Sequence, residues 1–108
     1  MARYVIHAVG PIWRGGQQGE AQQLTRAYQR CLEVAVAYHC QSIAFPSLST
    51  GAYGYPVPLA ARTALQTVMT FLEQHCQPAL VQFVLFDTGT HNAYAATLRS
   101  LLGNADKG

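Results

Sequence analysis

Apolar positions along the chain switch period several times, and each switch marks an element. Tyr4 to Val9 is β-branched and aromatic and is stopped by Gly10-Pro11, which predicts a strand. From Glu20 to Tyr38 the period becomes helical. Leu24, Cys31, Ala35 and Tyr38 recur at spacings of seven, four and three, with Ala27 and Tyr28 beside them. Between these two, Trp13 to Gly19 reads as a loop around Gly15-Gly16. A second strand is expected over Ser42 to Leu48, and a loop rich in Gly, Tyr and Pro over Ser49 to Pro58. Leu59 to His75 is predicted helical, with Leu65, Val68, Met69 and Leu72 as its core face and Pro58 in its first turn. Leu80 to Phe86 is nearly continuous in apolar residues, the pattern of a strand covered on both faces. A third helix, capped by Thr90 or Asn92, carries Tyr94, Leu98 and Leu101 on one face and stops at Gly103. Residues 1–103 then form one domain, and 104–108 a flexible tail.

The order is βαβαβα, which predicts an α/β fold of three layers, α/β/α, around a small, mainly parallel sheet. Length and composition support a single compact domain. The chain has 108 residues, half of them hydrophobic, so a core can form and disorder of the whole chain is excluded. Only 11% are charged, against roughly 25% in ordinary soluble domains. So small a charge fraction points to apolar surface covered by a partner.

Charge excludes several functions. Seven basic residues face five acids and are scattered, so no nucleic-acid footprint is formed. Three cysteines without a C-x-x-C spacing exclude a disulfide framework and a zinc ribbon. The four histidines lack ligand spacing, so no metal site is expected, and no cofactor. No apolar run reaches the ~18 residues of a membrane span, and no secretory leader is recognised. A reducing, cytoplasmic setting is the expectation.

Candidate chemistry sits in Ser49-Thr50-Gly51-Ala52-Tyr53-Gly54-Tyr55-Pro56, between a strand and a helix. In open parallel sheets ligands bind beyond the carboxyl ends of strands. Ser49, Thr50 and backbone N–H groups near a helix start can cradle an anion, although the same segment also serves as an ordinary connector. Asp87 is the acid at the other strand tip, a ligand contact or a helix cap. Glu20, Glu33 and Glu73 read as surface helix residues, and Cys31 and Cys76 as small core residues. Trp13 packs on the core or on a partner.

These segments resemble the macrodomain family. Tyr4 to Trp13 is similar to the family's YVIHTVGPxW strand, and Ser42 to Pro56 to its SIAFPxxSTGxYGYP segment. Phe83 to Asp87, with Tyr94 seven residues after Asp87, resembles the last strand and helix, while Glu20, Leu24 and Tyr28 fit the intervening helix. The resemblance implies a module that binds ADP-ribose or a related nucleotide diphosphate. The N–H groups of Thr50, Gly51, Ala52 and Gly54 would hold the diphosphate, beside Ser49, with Tyr53 against the distal ribose. Phe86, Asp87 and His91 would lie on the adenosine side.

Only the second half of such a domain is matched. The GDI, NAAN and GGGGVDGAI segments have no counterpart, and with them go the adenine carboxylate, the ribose-side Asn and the second phosphate loop. A hydrolase of ADP-ribose derivatives is therefore disfavoured against a binding module, and a non-binding oligomeric remnant of the fold is the alternative. In the family a strand from the absent half separates the strand matching Tyr4 to Val9 from that matching Ser42 to Leu48. The resemblance thus implies open strand edges and a homo-oligomer, expected to be a dimer, that completes or covers the sheet.

Overall fold

A computed structural model describes residues 6, 8–51, 53–85 and 87–107, with side chains as far as residue 103. Its elements are α1 (Glu20–Ala37), β1 (Ser42–Phe45), α2 (Val57–His75), β2 (Leu80–Phe83) and α3 (Thr88–Lys107). The two strands pair in parallel, Ser42 opposite Leu80 and Phe45 opposite Phe83. This is an α/β fold whose helices follow or connect neighbouring parallel strands. Of the strand expected at Tyr4 to Val9, Tyr4, Val5 and His7 lie outside the described residues. Ile6, Ala8 and Val9 carry no strand pairing, and Val9 is 79% exposed.

Both strands stop earlier than their apolar runs. Pro46 follows β1 directly and has no N–H to give the ladder. The pairing closes with the Val84 N–H donating to the Phe45 carbonyl at 2.8 Å. Alternation in the strands assigns one face inward: Phe45 and Phe83 stack with centroids 5.7 Å apart. Tyr28 of α1 meets Phe45 edge-on at 5.1 Å, and Tyr94 of α3 meets Phe83 at 5.3 Å. α2 packs against both other helices, so one aromatic and aliphatic core lies on a single side of the sheet. Leu24, Tyr28 and Leu32 are wholly enclosed, and each such side chain contributes about 1.5–3 kcal/mol by leaving water.

The opposite face is open. Ser42, Ala44, Leu80 and Gln82 are exposed, as is Val84 just beyond β2. The double coverage expected for Leu80 to Phe86 is therefore corrected. Among the described residues the third layer is missing, and a run of apolar residues has no second helix to lie under.

Helix ends follow local chemistry. Pro56 and Pro58 open α2, where a missing N–H costs nothing. At its far end Cys76 adopts a left-handed φ of 57° and donates its N–H to the Leu72 carbonyl. That position exposes Cys76, which the sequence reading had placed in the core, whereas Cys31 is buried. Tyr38 and Leu98 are corrected in the same sense, at 58% and 38% exposed. Tyr38 lies just past the end of α1, and Leu98 falls between the turns that bury Tyr94 and Leu101. α3 runs through Gly103 to Lys107, because Gly103 does not take the left-handed conformation that would end it.

Candidate functional site

Residues 46–56 leave β1, cross its carboxyl end and enter α2. Two left-handed residues shape the turn, Ser49 at φ 68° and Gly54 at φ 73°. The Gly54 N–H donates to the Gly51 carbonyl, and the Tyr55 N–H to the Ser49 carbonyl, both at 3.0 Å. The loop thus closes on itself, and the Gly54 amide is spent on that closure. Among the described residues, the N–H groups of Thr50 and Gly51 donate to no acceptor. Ala52 lies outside the described residues. Gly51 and Tyr53 are exposed.

Three other elements brace this turn. Ser47 Oγ and the Tyr94 hydroxyl of α3 share a hydrogen bond of 2.8 Å. The Thr50 hydroxyl donates to Ser47 Oγ at 3.0 Å. The Leu48 N–H donates to the Tyr28 hydroxyl of α1 at 3.1 Å. Burial raises the pKa of both phenols, keeping them neutral hydrogen-bonding groups. Ser49 Oγ is enclosed and has no partner among the described residues. Tyr55 is buried and anchors the far end of the turn.

From the amino-terminal side, the Trp13 N–H donates to the Tyr53 carbonyl at 2.9 Å. The indole lies 4.7 Å from the Tyr55 ring, which settles Trp13 on the body of the domain. Behind it stands Glu20. Its carboxylate accepts the N–H groups of Arg14 at 2.8 Å, Gly16 at 2.9 Å and Gln18 at 2.6 Å. Glu20 is 1% exposed, which corrects its reading as a surface residue. Burial alone would raise its pKa. The surrounding amides, Gly16 and Arg14 foremost, more than reverse that and hold it down at about 2.

The second strand tip is arranged differently. Asp87 Oδ1 accepts the Thr90 N–H at 2.8 Å, and Oδ2 the Thr90 hydroxyl at 2.9 Å. Of the two roles open to Asp87, the geometry shows the cap, and the cap is Asp87 rather than Thr90 or Asn92. The Thr90 N–H, then its hydroxyl, lower the Asp87 pKa. His91 is exposed in the first turn of α3, its N–H on the Asp87 carbonyl. Phe86 lies outside the described residues.

Sequence reasoning found the loop and missed its braces, Ser47 and Glu20 above all. The signal for Glu20 was available: a carboxylate directly after a glycine-rich loop gathers amides that would otherwise have no acceptor. Among the described residues no group of His, Cys, Asp and Glu is placed to hold a metal, and no helix is long and apolar enough to cross a membrane.

Comparison with known proteins identifies this architecture. A family model described as Macro domain matches residues 1–64. An O-acetyl-ADP-ribose deacetylase of Salmonella typhimurium is 50% identical over 97 residues, covering 90% of this chain and 54% of the relative. The structure of an Oceanobacillus iheyensis macrodomain with ADP superposes with a TM-score of 0.84 at 38% identity, over 89% of this chain and 50% of that one. A Trypanosoma brucei macrodomain in complex with ADP-ribose gives 0.81 at 34% identity, over 90% and 40%. The chain spans about half the length of the curated relatives it matches.

Proposed function

The chain belongs to the macrodomain family, and on that premise we propose that it binds ADP-ribose or a related nucleotide diphosphate through Ser49 to Gly54. One observation carries the reading: the turn at Thr50-Gly51, in the connection between β1 and α2, offers two backbone N–H groups with no acceptor among the described residues. Uncommitted backbone amides suit a diphosphate. Similar structures titled with ADP and with ADP-ribose point to the same ligand class. Tyr53 supplies an exposed ring for the ribose, and the exposed Asp87 and His91 at the neighbouring strand tip are assigned to the adenosine side.

Calorimetric titration with ADP-ribose, with AMP and inorganic phosphate as controls, tests this. Micromolar affinity, about −8 kcal/mol, is the expected result. No heat at millimolar ligand would overturn it and leave the non-binding remnant.

Hydrolysis is the second reading, supported by the name that relatives of 50% identity carry. Against it, Glu20 and Asp87 are both committed to donors of their own fold, and Glu33 pairs with Arg30 on α1. A second copy of the chain is proposed to cover the open sheet face at Leu80 and Val84, which are 49% and 47% exposed. Light scattering at micromolar protein should return a multiple of the chain mass, and the mass of one chain would overturn the oligomer.

A further inference from the structure

Glu20 makes more contacts with other segments than an acid at a helix start needs. An acid there interacts favourably with the helix dipole from the surface and asks for no burial. Here the carboxylate turns back and collects three backbone N–H groups from the preceding loop, at Arg14, Gly16 and Gln18. A loop of seven residues is thereby wound around one buried charge. Its winding needs Gly15 and Gly16 at φ 97° and 90°, so that the alternate amides of residues 14, 16 and 18 point inward.

That wound loop sets the place of Trp13. The indole lies over Gly16, where an added Cβ would come within 2.7 Å of the ring. From there the indole leans on Tyr55, while the Trp13 backbone N–H donates to the Tyr53 carbonyl. Both residues belong to the turn that carries Thr50 and Gly51. The Glu20 charge also reaches Tyr55, where it adds to the rise that burial gives the phenol.

We propose that Glu20 is a positioning residue for the Ser49–Tyr55 turn, acting through the amides of residues 14–18 and the Trp13 indole that the wound loop holds against Tyr55. It touches no ligand. It fixes the loop that fixes Trp13, and Trp13 holds one side of the turn while Tyr28 and Tyr94 hold the other. The ligand readout rests on the binding reading above; the amide readout does not.

Amide hydrogen exchange, followed by NMR on the ligand-free chain, tests the link. Glu20→Gln should speed exchange at Arg14, Gly16 and Gln18 about tenfold, and at Trp13, Gly54 and Tyr55 about threefold, with the amides of α2 unchanged. Trp13→Ala should loosen Gly54 and Tyr55 alike and leave Arg14, Gly16 and Gln18 protected. It decides the matter should Glu20→Gln fail to fold. In a wild-type chain that binds ADP-ribose, Glu20→Gln should weaken affinity about tenfold. Exchange at Gly54 and Tyr55 that stays at the wild-type rate in Trp13→Ala would overturn the proposal. So would an opened 14–18 loop in Glu20→Gln with an unchanged 53–55 segment. A wild-type chain that binds no ADP-ribose removes the binding reading alone, and the exchange pattern still decides the role of Glu20.

Discussion

Two strand-to-helix connections lie side by side at the carboxyl end of the sheet, and they are built on opposite plans. The connection from β2 to α3 is short and self-contained. Its acid, Asp87, turns onto Thr90 three residues later and caps the helix it precedes. The connection from β1 to α2 is long, and its supports come from elsewhere: Tyr28 from α1, Tyr94 from α3 and Trp13 from the loop that Glu20 winds. Local capping is enough to start a helix. The Thr50 and Gly51 amides of the longer turn are left unused, and its order is imported from neighbouring elements, as the proposed binding of a diphosphate there would require. The difference separates a connection ordered by its own residues from one ordered by its neighbours.

The sharpest way to break this contrast is to load each connection with charge. Gly51 has open space where a Cβ would stand and no left-handed φ, so Gly51→Glu should fold normally. It should weaken ADP-ribose binding at least ~100-fold by repelling the diphosphate, as read by calorimetry. Thermal melting should show the same midpoint as wild type.

Acid titration separates the two carboxylates. The pKa of Glu20 is lowered from 4.5 to about 2, so its contribution is full above 4.5 and is lost as the pH falls to about 2. The folded form binds fewer protons than the unfolded form in that window, so stability falls with pH. Glu20→Gln should be less stable at neutral pH and should flatten the slope in that window, measured by urea unfolding at a series of pH values. Asp87, also lowered from its ordinary 3.8, loses its contribution as the pH drops below that value. Asp87→Asn should change the fraying of α3 and leave the amides of the 49–55 turn alone.

A smaller effect tests the imported supports one at a time. Tyr94→Phe removes the bond to Ser47 Oγ and should cost about 1 kcal/mol in urea unfolding, with a further loss of affinity. The smallest effect belongs to the second connection. His91→Ala should reduce ADP-ribose affinity about threefold, less than half a decade, because an exposed ring contributes modest stacking.

The sequence made the helices legible because Leu24, Tyr28, Leu65 and Tyr94 carry a helical period that burial then honours. It also made the loop legible, since the Ser49 to Pro56 pattern is specific. The outer face of the sheet was misread. An apolar run such as Leu80 to Phe86 records what covers a strand in a whole domain, and the described residues supply only one of the two covering layers. The use of the Gly54 amide to close the turn was not legible, because a glycine in a phosphate-type loop suggests a free amide and only its left-handed φ turns it back onto the Gly51 carbonyl. Glu20 was misplaced for a different reason. Its position at a helix start accounts for its charge by the dipole alone, and the folding back of residues 14–18 leaves no periodic trace.

Trp13 is the only tryptophan in the chain, and it leans on the buried end of the candidate turn. The molecule therefore carries its own optical probe. The Tyr55 ring is 4.7 Å away, so the indole emission is sensitive to how Trp13 and Tyr55 pack. If the proposed ligand settles on Thr50 and Gly51, the indole emission is the label-free signal in which to look for it.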